Sequence, residues 1–520
     1  MLRQVRLPNG VIEGVACGDP RITLFKGVPY AKAPVGELRW RSPEAYEECW
    51  EGVRRMDTFP PMCVQGQPGS DPNEFWTKEL NPTATEYPMS EDCLYLNIWS
   101  PAKSTEDRLP VFLWIHGGGM QSGYSYEMEF DGESVAKEGV IMITVGYRLN
   151  IFGWMAHPEL TAEDPDGPRG NYCLEDLIFS LRWIRDNIAA FGGDPGRVTI
   201  GGQSGGAGAV ISLISSPLTE GLITGAISQS GGGLRAFGYG SDCNTIEEAE
   251  ETGIEILKLL GVSSIEEARK LPAEEIYAAY RKLGGGFARW APRIDGALLT
   301  ESTLDTLIHN RHQKIPYMLG NTRDEGMGGP AAAPLPESLD EFRRTLQQFV
   351  GDRAEAFMER FHIETLEDAR AICRTDAFNP RLISARAYLQ APANRERSAD
   401  YCYQFSHDIP GGDNVGAFHG SDLWFMFNSL KRCWRPFTGK HYDLARQVVA
   451  YWTNFVKTGD PNGCDHNGEV LPEWKPCSGA DPFIMEFTDV PGQMKTPLSE
   501  AAQYRIDAQF EDYRAKHGEL

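Results

Sequence analysis

The stretch Arg197-Val198-Thr199-Ile200-Gly201-Gly202-Gln203-Ser204-Gly205-Gly206 constrains this chain more than any other. It reads as a β-strand that runs into a sharp turn and opens a helix, with G-x-S-x-G at the turn and Ser204 at its centre. Such a turn drives its central residue toward positive φ and crowds its neighbours, so glycines at 202 and 206 remove side chains that would collide. The serine hydroxyl then stands clear of the sheet, and the first amides of the helix point at whatever binds beside it. A glycine-rich turn without chemistry would match the same pattern in a chain with 55 glycines, so the reading depends on what else the sequence supplies.

It supplies alternating strands and helices. Pro110–Ile115 and Val140–Val145 are continuous apolar runs, as strands buried on both faces require. Leu174, Leu177, Ile178, Leu181, Ile184 and Ile188 recur at helical spacing over 174–189. The strand before Ser204, a segment from Ile223 to Ile227, and the runs Tyr317–Gly320 and Tyr401–Phe405 complete the strand set. Strands separated by helices imply an α/β fold, a large, mostly parallel central sheet with helices on both faces. Residues 3–30, with the turn signal Pro8-Asn9-Gly10, read as an antiparallel hairpin at the sheet edge.

Charged, amphipathic segments at 244–285 and 338–392 interrupt the strands and predict helical insertions over the sheet edge, the first reaching to near 310. Two more helices are expected near 441–457 and 500–516. No repeat or linker divides the chain, so 1–520 reads as a single domain with insertions. Residues 59–90 form a long loop rich in Pro, Gly, Asp and Asn, in which Phe75 and Trp76 serve as anchors or line a pocket.

A net charge of −23 on 520 residues argues against nucleic acid or an anionic membrane as partner. No run approaches the roughly 18 apolar residues of a membrane span. Met1–Gly10 lacks the apolar core of a signal peptide, so a cytoplasmic chain is expected. The 11 cysteines show neither CxxC nor Cys/His ligand spacing, which predicts buried thiols rather than a zinc site. No metal or organic cofactor is implied.

Directly after the apolar run at 110–115 stands His116-Gly117-Gly118-Gly119. Consecutive glycines after a buried strand make sense where backbone amides approach a ligand closely, here with Gly205 as a further donor to an oxyanion. A serine at neutral pH is a weak nucleophile and needs a base, itself oriented by a carboxylate. In this type of fold those partners follow in the order acid, then histidine. Asn321-Thr322-Arg323-Asp324-Glu325-Gly326 follows a buried strand and puts Asp324 or Glu325 at the sheet edge that carries Ser204. Of the later histidines, His419 lies in the glycine-flanked loop Gly416-Ala417-Phe418-His419-Gly420, and His407, also just after a strand, is its main rival.

These motifs, with Phe25–Ala31, Ser90–Asn97, Phe191–Pro195 and Tyr451–Phe455, resemble the type-B carboxylesterase and cholinesterase family of α/β-hydrolases over nearly the whole chain. The resemblance implies a serine hydrolase that cleaves small-molecule carboxylic esters through an acyl-enzyme. It implies Ser204 as nucleophile, Glu325 as acid, His419 as base, and Gly118, Gly119 and Gly205 as oxyanion hole. It further implies buried ion pairs Arg39–Glu91 and Arg148–Asp176, and a Cys63–Cys93 disulfide that bacterial-looking members often lack. Two positions depart from the family's usual residues: Gln203 replaces Glu, removing a negative charge, and Gly205 replaces Ala. Gly231-Gly232-Gly233 suggests a roomy site or a turn. The alternative, a non-catalytic adhesion or binding domain on the same fold, typically lacks a member of the triad, and all three are present here.

Overall fold

The apolar runs pair into one large sheet. A computed structural model describes the chain except for residues 70–73, 82, 84, 166, 240–242, 326–333, 395–396, 398, 479–481 and 519–520, and describes only the backbone of 287 and 288. Gly326 of the Asp324-Glu325-Gly326 triplet and parts of the 59–90 loop therefore lie outside the described residues. The strands are β1 Gln4–Leu7, β2 Gly10–Ala16, β3 Thr23–Pro29, β4 Val53–Met56, β5 Tyr95–Ser100, β6 Leu109–Ile115, β7 Ile141–Val145, β8 Gly193–Gln203, β9 Gly225–Gln229, β10 Asn244–Thr245, β11 Arg293–Ile294, β12 Tyr317–Thr322, β13 Asp400–Phe405, β14 Ile484–Phe487 and β15 Gly492–Gln493. The main sheet has the order β1-β2-β3-β5-β7-β6-β8-β9-β12-β13-β14-β15, with β4 beside β2, while β10 and β11 pair separately.

From β7 across to β14 every neighbouring pair is parallel. The N-terminal strands β1, β2, β3, β5 and β7 run antiparallel to one another, as the hairpin reading of 3–30 expects, and β15 closes the far edge antiparallel. Alternation along β6 divides its apolar run between two cores. Val111, Leu113 and Ile115 pack with the helix Tyr172–Asn187, whereas Phe112 and Trp114 pack with the helix Gly439–Thr458. The two C-terminal helices, Gly439–Thr458 and Glu500–His517, lie where the periodicity predicts them.

Three readings change. The strand expected at Ile223–Ile227 sits two residues later, at Gly225–Gln229. Strand β5 was hidden by its polar centre: Asn97 is buried and donates to Ser125 Oγ at 3.0 Å and to Thr144 Oγ1 at 3.2 Å, so a polar residue takes a core position. The 338–392 region does form helices, but its last, Pro380–Gln390, packs on β12 within the sheet rather than over an edge.

Both buried ion pairs are present. Arg39 donates to Glu91 through Nε at 2.7 Å and Nη2 at 2.6 Å. Arg148 grips Asp176 through Nε at 2.8 Å and Nη2 at 2.7 Å, with neither side chain more than 2% exposed. Cys63 and Cys93 are not bridged: both are buried free thiols, and contact with Cys63, reinforced by burial, holds the Cys93 thiol well above its ordinary range. Among the described residues no helix is long and apolar enough to cross a membrane.

Removing one partner of a fully buried pair leaves an uncompensated charge. Asp176→Asn is expected to destabilise the fold by about 3–5 kcal/mol in urea unfolding. A loss below about 1 kcal/mol would show that the pair does not anchor the helix Tyr172–Asn187.

Candidate functional site

Strand β8 ends at Gln203 and the helix Gly205–Ser215 starts at once, so a single residue makes the turn. Ser204 has φ 56° and ψ −119°, backbone that only close packing can impose on a residue with a side chain. The packing comes from β6. A Cβ on Gly206 would stand 2.1 Å from the carbonyl oxygen of Ile115, and one on Gly202 would stand 2.5 Å from the backbone of Gly206. The Ser204 amide is held by the carbonyl of Gln229 at 2.9 Å. Among the described residues its hydroxyl makes no hydrogen bond.

The glycine loop after β6 turns back onto this elbow. Gly118, Gly119 and Met120 follow one another at φ 89°, 63° and 59°. The loop approaches so closely that a Cβ on Gly205 would be 2.7 Å from the amide nitrogens of Gly119 and Met120. Among the described residues, the amides of Gly118, Gly119 and Gly205 donate no hydrogen bond. His116 braces the loop from below. Its ring stacks on Tyr147 at 4.4 Å, the Tyr147 hydroxyl donates to the His116 carbonyl at 2.8 Å, and burial lowers the imidazole pKa to about 4, so it is neutral at pH 7.

The two adjacent carboxylates have different surroundings. Glu325 is buried, and its Oε2 lies 2.8 Å from His419 Nδ1. Oε1 accepts from Ser230 Oγ at 2.7 Å and from the Thr322 amide, and Arg381 Nε also lies 2.8 Å from Oε2. Burial opposes the charged form, but Arg381, His419 and these hydrogen bonds outweigh it and hold Glu325 below the ordinary carboxylate value. Asp324 has a different task. It pairs with Arg323, and its backbone amide and carboxylate grip Ala417 at 3.0 and 2.7 Å, fixing the loop that carries His419.

His407, the rival, has Asp489 3.0 Å from its Nδ1 and the His441 ring at 5.1 Å, and does not meet Glu325. His419 is lowered from the ordinary imidazole value by burial first and by Arg381 second, against the opposing pull of Glu325. The Gln203 amide nitrogen lies 3.4 and 3.3 Å from its Nδ1 and Nε2, which sets the imidazole beside the elbow.

The 59–90 loop contributes to this site through a short helix, Phe75–Leu80. Phe75 meets Phe418 edge-on at 5.1 Å, and Trp76 meets the His419 ring edge-on at 6.5 Å. Both aromatics thus brace the histidine loop. The glycines at 231–233 do not create room. A Cβ at 231 would meet the Ser204 carbonyl at 2.5 Å and one at 233 the Ser384 carbonyl at 2.3 Å, so they permit close backbone packing.

A family model described as the carboxylesterase family matches residues 2–505. The chain belongs to the carboxylesterase family. A fumonisin B1 esterase of Sphingopyxis macrogoltabida is 32% identical over 470 residues, covering 87% of this chain and 82% of that protein. Liver carboxylesterase 1 of Oryctolagus cuniculus is 31% identical over 495 residues, covering 87% and 83%. Among solved structures, a thermophilic PNB esterase superposes with a TM-score of 0.79 at 26% identity, covering 97% of this chain and 100% of that one. The fold is accordingly the α/β-hydrolase fold, and the protein is a serine hydrolase of carboxylic esters.

Sequence reasoning missed Arg381 and Ser230 as partners of Glu325. Asn379-Pro380 signals the start of the helix bearing Arg381: Asn379 Oδ1 accepts the amides of Arg381 and Leu382 at 3.2 and 3.0 Å, and proline takes the first helical position. Nothing in that signal says which way the guanidinium faces.

The contact of Gly205 with the glycine loop has a direct test. In this carboxylesterase Gly205→Ala, although it installs the family's usual residue, is expected to push the loop amides outward and lower kcat about 10- to 100-fold with little change in KM. Unchanged steady-state kinetics with a chromogenic acetate ester would show that the loop yields without cost.

Proposed function

We propose that Ser204 attacks the ester carbonyl, His419 takes its proton, and Glu325 orients the imidazole and stabilises its charged form. The amides of Gly118, Gly119 and Gly205 receive the oxyanion; each such donor is typically worth about 3 kcal/mol in the transition state. His419 then returns the proton to the leaving alcohol, and water, activated the same way, releases the acyl group. The observation that carries this reading is the 2.8 Å contact between Glu325 and His419, with the imidazole against Gln203, the residue before a serine at φ 56°.

The proposed substrates are small-molecule esters, as the names of the relatives suggest for those proteins: fumonisin B1 esterase, phenmedipham hydrolase, carboxylesterase. Gln203 brings no charge to the imidazole, so a cationic alcohol finds no carboxylate at this position to favour it. Residues 1–520 act as one catalytic unit in this proposal, with insertions near 244–310 and 338–392 shaping access to the site. A cytoplasmic location is supported by 11 cysteines that all stand as free thiols.

Ser204→Ala is expected to lower turnover of a chromogenic acetate ester by about 10⁴-fold or more and to abolish labelling by a fluorophosphonate probe. Labelling that persists in Ser204→Ala, for example at Ser230, would remove the nucleophile assignment. Glu325→Gln is expected to cost about 10⁴-fold in kcat and Asp324→Asn under about 10-fold; the reverse order would exchange their roles.

A further inference from the structure

Three hydrogen bonds and one ion pair converge on the Glu325 carboxylate, and only one of these partners belongs to the proposed triad. The Ser230 hydroxyl and the Thr322 amide occupy Oε1, while His419 Nδ1 and Arg381 Nε share Oε2, each at 2.8 Å. Arg381 comes from the 338–392 insertion, on the helix Pro380–Gln390 packed against β12. The single Nε–H donates to the Ser230 carbonyl at 3.0 Å, which aims the guanidinium, and the guanidinium lies over the Tyr239 ring at 5.7 Å. Its side chain is 18% exposed, so its charge is poorly screened by water.

We infer that Arg381 is a positioning residue for the ester hydrolysis: its cation, sharing Oε2 with His419, keeps Glu325 ionised and makes the imidazole a weaker base, so that the enzyme stays active at mildly acidic pH. The inference rests on the triad proposed above. Two positive charges on one carboxylate oxygen repel each other, and that repulsion falls on the only one of them that can lose its proton. The other groups facing this cluster are few. Gln203 lies against the imidazole and is neutral. Trp76 meets its edge. Arg235 stacks on the far partner of Arg381, Tyr239, at 5.3 Å. Asp422 is a further carboxylate nearby. It accepts from Tyr403 at 2.8 Å and from Gln229 at 3.0 Å, and burial pushes its pKa up to about 6. Asp324, the neighbour of Glu325, is spent on Arg323 and Ala417. None of these replaces Arg381 as a cation on Oε2. The direction of both titrations agrees: Glu325 lies below, and His419 below, their ordinary values, with Arg381 contributing to each.

The sign of the pH effect follows. Losing the cation favours imidazolium and favours protonated Glu325, and both changes move the acid limb of kcat/KM upward. Arg381→Gln is expected to raise that limb by about one pH unit, a roughly tenfold deeper loss of relative activity at pH 5, and Arg381→Lys to return it toward wild type. Arg381→Met, whose stem keeps the packing on Tyr239, is the second neutral variant should the glutamine variant fold poorly. The rate of fluorophosphonate labelling of Ser204 against pH reads the same titration without turnover. An unshifted acid limb in both neutral variants, with only the plateau lowered, would overturn the inference and leave Arg381 a structural tie. An inactive Ser204→Ala beside such an unshifted limb would leave the triad standing and sink this inference alone, whereas an active Ser204→Ala would sink the triad.

Discussion

The site depends on how closely the end of β6 approaches the start of the helix Gly205–Ser215. The Ile115 carbonyl leaves no space for a side chain at 206, Gly206 leaves none at 202, and the glycine loop leaves none at 205. A single residue must then turn the chain, and Ser204 does so at φ 56°. Strain of this kind, of order 1–3 kcal/mol, persists only where the surroundings over-determine it. Here the surroundings are two adjacent parallel strands buried on both faces, among the most rigid parts of such a fold. The same approach that strains the serine brings the loop amides of Gly119 and Met120 against Gly205, the residue after it. The strained serine and the glycine loop packed beside it are therefore not two features that happen to coincide; one close contact between backbones produces both.

Charge is placed with similar economy. In a region shielded from water an unpaired ion is costly, and the buried ion pairs of this chain answer that cost. Arg148 and Asp176 join the segment after β7 to the helix Tyr172–Asn187. Arg39 and Glu91 tie two N-terminal segments together. Glu325 takes hydrogen bonds from Ser230, Thr322 and His419 and an ion pair from Arg381, which fixes both oxygens and thus the plane and tilt of the imidazole it holds. An oriented base needs no reorganisation at the moment of proton transfer, and avoiding that cost is much of what preorganisation gives catalysis.

The sequence made some of this legible and concealed the rest for definable reasons. Ser204, the glycine loop and the runs at 110–115 and 140–145 could be read because their signals are local: backbone conformation demands glycine, and burial on both faces demands unbroken apolar residues. Strand β5 was lost because Asn97 sits at its centre and satisfies its amide through Ser125 and Thr144, residues far along the chain. The choice between Asp324 and Glu325 could not be made from the residues themselves, since adjacent side chains at a strand end point to opposite sides and both are carboxylates. The resemblance to a family pointed to Glu325, and the contacts place Asp324 on Ala417 instead of on the histidine. The glycines at 231–233 misled because glycine can mean open space or crowding, and only neighbours such as the Ser204 carbonyl tell which.

Trp452 illustrates why distant positions can matter to such a site while showing no chemistry of their own. It lies within the Tyr451–Phe455 signature, on a helix far along the chain from the elbow. Its indole donates to Gln229 Oε1 at 2.9 Å, and the Gln229 amide donates to Asp422 at 3.0 Å. Both ends of the Gln229 side chain are thereby fixed, and its backbone carbonyl is the group that holds the Ser204 amide. Asp422 in turn sits three residues beyond His419, at the foot of the loop carrying that histidine. One buried glutamine thus links the turn at Ser204, the histidine loop and the helix Gly439–Thr458. A change at 452 would reach the serine through the carbonyl of 229, with no contact between the indole and the substrate. That route explains how a tryptophan in the C-terminal part of the chain can be a mark of the same family as the serine it supports.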